Sequence, residues 1–142
     1  MRLRTVILGG AGALILIALG VTGALMFMGR TLCTVSAEVA RIASPDGRVD
    51  AVLYEYNCGP STPFATHVSL LKPGQPATKA GNVFAATMGT SDGVSAPWGG
   101  PWAELRWEGA RQLVVLYDRG AQVVRNETSR RRVAVEYDPI ER

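Results

Sequence analysis

From Thr5 to Gly29 the chain carries no charged side chain, and apart from Thr5 and Thr22 the run is Val, Ile, Leu, Ala, Gly, Met and Phe. As a helix it would extend about 37 Å at 1.5 Å per residue, enough to cross a hydrocarbon core of about 30 Å with some tilt. A helix satisfies its own backbone in lipid, so the glycines of this run are compatible with a span. The expectation is therefore a transmembrane anchor over residues 1–30, contacting membrane lipid through residues 5–29, and a separate domain over residues 31–142. A signal peptide is the competing reading, with Arg2 and Arg4 as its positive start and Val35-Ser36-Ala37 as a small-residue cleavage site. The apolar run is longer than the roughly 7 to 15 residues of such a segment, so an uncleaved anchor is favoured.

Arg2 and Arg4 precede the run and Arg30 follows it. This bias places the amino terminus in the cytoplasm and the remaining domain in the periplasm or outside the cell. Cys33 and Cys58 are the two cysteines of the chain. In an oxidising compartment a disulfide between them is the simplest expectation, with two unrelated buried thiols as the alternative. Closing that loop would contribute roughly 3.5 kcal/mol in the chain-entropy picture. Together with His67, the single histidine, these cysteines supply too few ligands for a zinc site, so no metal and no cofactor are expected.

Beyond Arg30 the pattern changes to the alternation of strands that bury one face. Val35, Ala37 and Val39 alternate with Ser36, Glu38 and Ala40, and Ser44-Pro45-Asp46-Gly47 reads as a hairpin loop into a strand over 48–57. Further strands are expected over 64–71, 82–88, 102–107, 113–117 and 132–137, with a surface loop running to Pro101. The fold class is mainly β: one N-terminal transmembrane helix followed by a small antiparallel meander. Pro45-Asp46-Gly47-Arg48 before Ala51-Val52-Leu53-Tyr54, and Glu108-Gly109-Ala110-Arg111 before Val114-Val115-Leu116-Tyr117, look like two copies of one turn-then-strand unit.

The turn Ser44-Pro45-Asp46-Gly47-Arg48 is similar to the turn that opens blades in TolB-like and WD40-like propellers, although the domain has room for fewer than four blades. The wider set resembles a group of small bacterial envelope proteins. It comprises a cysteine after the apolar segment, Ser-Pro-Asp-Gly, Asn57-Cys58-Gly59, Thr62 with Phe64, His67-Val68-Ser69 and Gly81-Asn82-Val83-Phe84. The resemblance implies a membrane-anchored location and the disulfide, and implies no reaction. Pro60 departs from it, where a small residue is expected.

Fifteen basic against twelve acidic residues, a net charge of +3, is too mild a surplus for a nucleic-acid binder. His67 with Ser69, Ser61 or Asp46 would suit a hydrolase, but no nucleophile elbow accompanies it, and the strand pattern makes it a half-exposed histidine opposite Thr66 and Val68. Trp98 and Trp102, with His67 and Asn82, are candidate binding residues, although tryptophan also fills cores. Arg130, Arg131 and Arg132 form the one basic run and are candidates for anionic lipid headgroups, against the reading of a solvated edge. Function is accordingly expected to be binding or envelope assembly, with an envelope protein or cell-wall partner, at the bacterial inner membrane and without catalysis. A secreted or periplasmic hydrolase or ligand-binding module centred on His67 is the alternative.

Overall fold

The computed structural model describes the backbone of residues 2–30, 33–89 and 95–142, and the side chains of 12–26, 33–89 and 95–142. The chain divides into two compact units, Met1–Leu32 and Cys33–Arg142. Arg2, Arg4 and Arg30, on which the expected orientation rests, lie outside the described side chains, as do residues 90–94 of the expected loop.

The first unit is a single helix, α1 (Arg2–Arg30). Leu14, Ile15, Leu16 and Ile17 are all exposed, and four consecutive residues point to every side of a helix. Among the described residues no helix is long and apolar enough to cross a membrane. The part of the helix whose side chains are described, residues 12–26, spans about 22 Å at 1.5 Å per residue, short of a core of about 30 Å.

The second unit is all β: β1 (Thr34–Ala43), β2 (Asp50–Asn57), β3 (Ala65–Leu71), β4 (Phe84–Thr87), β5 (Ala103–Gly109), β6 (Gln112–Asp118), β7 (Gln122–Asn126), β8 (Ser129–Arg130) and β9 (Val133–Ile140). They form two sheets, ordered β1-β2-β3-β4-β7 and β5-β6-β9-β8. The first is antiparallel throughout. The second departs from the expected meander, because β6 and β9 run parallel. Between them the chain leaves for the first sheet as β7, pairs there with β4, and returns through β8. Strands β7 and β8 have no counterpart in the sequence reading, because both are short and exposed and offer no alternating buried face.

The two sheets share one core. Leu53, Val68 and Phe84 from the first meet Leu105, Leu113 and Val135 from the second. Strand β2 is buried on both sides, since Ala51 and Leu53 enter that core while Val52 and Tyr54 join a second cluster with Leu71 on the outer face. Cys33 and Cys58 are disulfide-bonded, and Thr34 pairs with Asn57 beside them, so the bridge closes the open end of the β1–β2 hairpin.

Candidate functional site: a cleft beside His67

Strand alternation puts Tyr54, His67 and Ser69 on the outer face of the first sheet, with Tyr54 opposite His67. A half-exposed histidine is the expectation there, but His67 is only 7% exposed. The connection between β3 and β4 folds back over this face. Gly81 N–H donates to His67 Nδ1 at 2.8 Å, and Tyr54 Oη donates to the Lys79 carbonyl at 2.8 Å. Alternation along β3 fixes which face His67 takes, whereas the cover comes from residues more than ten positions away.

Tyr56 stacks on the imidazole at 4.4 Å between ring centroids, and Tyr54 meets it edge-on at 5.9 Å. Because Nδ1 accepts, the ring proton of the neutral form belongs on Nε2. Burial is the main cause that pushes the His67 pKa down to about 4, with the Arg125 charge adding to it. The ring is thus a neutral, oriented donor at neutral pH.

The polar groups beside it are committed to structure. Ser69 Oγ lies 2.9 Å from Tyr54 Oη and accepts from Asn82 N–H at 3.1 Å. With the Tyr54 proton given to Lys79, the Ser69 proton points to Tyr54. Asn82 closes both sides of Leu70, its Oδ1 accepting from Leu70 N–H at 2.8 Å and its Nδ2 donating to Leu70 O at 3.1 Å. Asn82 therefore extends the sheet in the manner of one more strand residue. Asp46 accepts from Ser44 Oγ and Arg48 N–H within its own turn. His67 has no hydrogen bond to Ser69, Ser61 or Asp46 among the described residues.

His67 forms one wall of an open cleft of about 280 Å3, lined also by Tyr56, Pro63, Ala65, Ala85 and Val124, with Arg125 and Cys58 at its rim. The lining is mostly apolar. Val124 is 68% exposed, and Arg125 has no ion-pair partner among the described residues.

The expected tryptophan sites fall elsewhere. Trp98 packs against the main core and donates from Nε1 to Thr66 Oγ1 at 2.9 Å, while Thr66 donates to the Pro101 carbonyl at 2.6 Å. It therefore lies against the face of β3 opposite His67. Trp102 carries the Arg142 guanidinium over its ring at 4.3 Å. Trp107 packs on the core and donates to the Ile42 carbonyl at 3.1 Å. So His67 and Asn82 come together around Gly81, and the tryptophans do not join them. Sequence reading missed Arg125 and Val124 because the strand that carries them, β7, was itself not legible.

Arg130 ends β8, and Arg131 and Arg132 form the two-residue turn into β9. Among the described residues no group of three His, Cys, Asp or Glu side chains is placed to hold a metal ion. The chain matches no family model, no curated protein and no solved structure.

Proposed function

We propose that this is a single-pass protein of the bacterial inner membrane whose β domain lies outside the cytoplasm and acts by binding, with an apolar ligand held in the cleft beside His67. Anchoring is supported by the uncharged run Thr5–Gly29 and by apolar side chains exposed on every side of its described portion. The disulfide fits an oxidising compartment.

The observation that carries the binding reading is the state of the imidazole. His67 Nδ1 is occupied by Gly81 N–H, and the Tyr54 and Ser69 hydroxyls on the same sheet face are spent on each other and on backbone. A general base needs a free nitrogen aimed at a nucleophile. A ring with one N–H left over, in the wall of a mostly apolar cleft, is suited instead to orienting a ligand with one polar end.

Because His67 is the single histidine, its imidazole NMR signals report on the cleft alone. In the full-length chain held in lipid nanodiscs, octan-1-ol should shift these signals saturably, and Val124→Asp at the exposed rim should suppress the shift. Unmoved His67 signals would refute the cleft reading. Thiol labelling of membrane fractions tests location separately: the cysteines should react only after reduction.

A further inference from the structure

Three hairpin turns meet at the end of the β domain away from that cleft. The β1–β2 turn supplies Asp46, Arg48 and Val49, the β5–β6 turn supplies Ala110 and Arg111, and the β8–β9 turn supplies Arg131, Arg132 and Val133. Together they line an open hollow of about 290 Å3. A backbone bond joins two of them, Ala134 N–H donating to the Arg111 carbonyl at 2.8 Å, and the Arg131 side chain is held by its Nε donating to the Leu70 carbonyl of β3 at 3.1 Å. Arg48 and Arg111 end the two similar turn sequences, and the fold brings both copies to one place. Strand β2 separates the two regions, running from Asp50 near the hollow to Tyr56 in the cleft, about 20 Å at 3.3 Å per residue.

The charges do not cancel. Four arginines face one carboxylate, Asp46, which stands 3.9 Å from Arg48. Arg111, Arg131 and Arg132 have no ion-pair partner among the described residues, and all four arginine side chains are exposed. Arg131 keeps both terminal nitrogens of its guanidinium after its single backbone bond.

The turn that presents two of them is strained. Arg131 has φ 53° and Arg132 φ 61°, in the two-residue loop between Arg130 and Val133, which pair across the hairpin. Positive φ at both positions is the geometry that Asn-Gly fills with least cost, and each arginine there costs about 1 kcal/mol. Placing two like-charged residues side by side adds repulsion. Two like-charged side chains held at one solvent-facing turn, lining a hollow that also holds Arg48 and Arg111, suit a negatively charged group.

We propose that this arginine-lined hollow binds a phosphate-type oxyanion, with Arg48, Arg111, Arg131 and Arg132 as its donors. Guanidinium forks match the tetrahedral oxygens of phosphate, and several of them suit a group of charge −2 or more better than a lone carboxylate. The oxyanion is either free or polymer-borne phosphate, or the headgroup of an anionic lipid. The site is independent of the ligand proposed for the His67 cleft.

The test is calorimetric titration of the full-length chain, in a non-ionic detergent at fixed ionic strength, with pyrophosphate. A parallel arm measures co-sedimentation with phosphatidylglycerol vesicles against phosphatidylcholine vesicles. Arg111→Gln should weaken binding by about tenfold, the loss of one charge-assisted contact. The double variant Arg131→Asn, Arg132→Gly should melt higher than the parent in chloride, because the turn is relieved, yet bind at least about tenfold more weakly. Binding of pyrophosphate identifies a free or polymer-borne phosphate, and binding of anionic vesicles alone identifies a lipid headgroup. Failure of both probes to bind the parent, or parent-like binding by the relieved turn, overturns the proposal.

Discussion

The outer face of β2 and β3 and the three-turn end of the domain are built on opposite terms. Around His67 the polar groups of Tyr54, Ser69 and Asn82 are matched and backbone passes within contact of backbone. A Cβ on Gly81 would run into the Phe84 carbonyl oxygen and stand 2.9 Å from that of Val68. At the arginine hollow a Cβ on Gly47 would meet nothing within 4 Å, and what constrains the chain is φ and charge. One region is specified by the space available, the other by backbone conformation and electrostatics, so the same kind of substitution should have different consequences in each.

The largest effect expected from this contrast is at Gly81. Gly81→Ala should cost about 3 kcal/mol or leave the domain unfolded, because the neighbours it would strike are main-chain atoms with no rotamer to yield. A urea midpoint within error of the parent would show that the cover over His67 is loose, and the contrast would fail. Next comes pH. With a folded pKa near 4 against 6.5 unfolded, His67 takes up a proton in the unfolded chain first. Stability is therefore complete above about pH 6.5 and falls toward pH 4, by about 2 to 3 kcal/mol. His67→Gln should flatten that window, as denaturant unfolding at pH 7 and pH 4.5 would reveal. Asp50, held below the usual carboxylate range by Gly74 N–H and by Arg41 against the cost of burial, acts in the same direction but only below about its normal pKa of 3.8.

Smaller and opposite in sign are the two turn tests. Gly47 sits at φ 67°, so Gly47→Ala should cost about 1 to 2 kcal/mol despite the open space around it. Arg131→Asn with Arg132→Gly should instead stabilise by about 1 kcal/mol, once the extra unfolded-state freedom of glycine is allowed for. Equal signs in thermal melts would mean that φ does not govern this end. The smallest effect is Trp98→Phe, which removes one hydrogen bond to Thr66 while keeping the ring against the core, and should cost about 1 kcal/mol.

The two turns also show where the sequence is legible. Ser44-Pro45-Asp46-Gly47 names its own conformation: Gly47 takes the positive φ, and Ser44 and Asp46 bond to each other. Arg130-Arg131-Arg132 names none, because the turn there is imposed by the pairing of β8 with β9. The strands read from alternation, such as β1, β3 and β5, are present close to their expected bounds, since a buried face repeats every second residue. The parallel pairing of β6 and β9 was invisible for the opposite reason: it depends on which sheet the intervening strand joins.

Of the candidate site residues, composition singled out His67, and spacing placed it on the face away from Val68. Its burial, its committed nitrogen and the cleft beside it follow from a loop that returns from Lys79 to Asn82 and from a strand carrying Val124 and Arg125. Local sequence by itself determined the apolar run, the main strands and the Ser44–Gly47 turn, because each is decided by neighbours a few residues away, while the two lone cysteines, 25 positions apart, only suggested the bridge that the fold closes. The division into two sheets, the covering of His67 and the gathering of four arginines were decided only by tertiary structure. Those features rest on contacts between residues tens of positions apart, whose free energy appears only when the whole domain closes around one core.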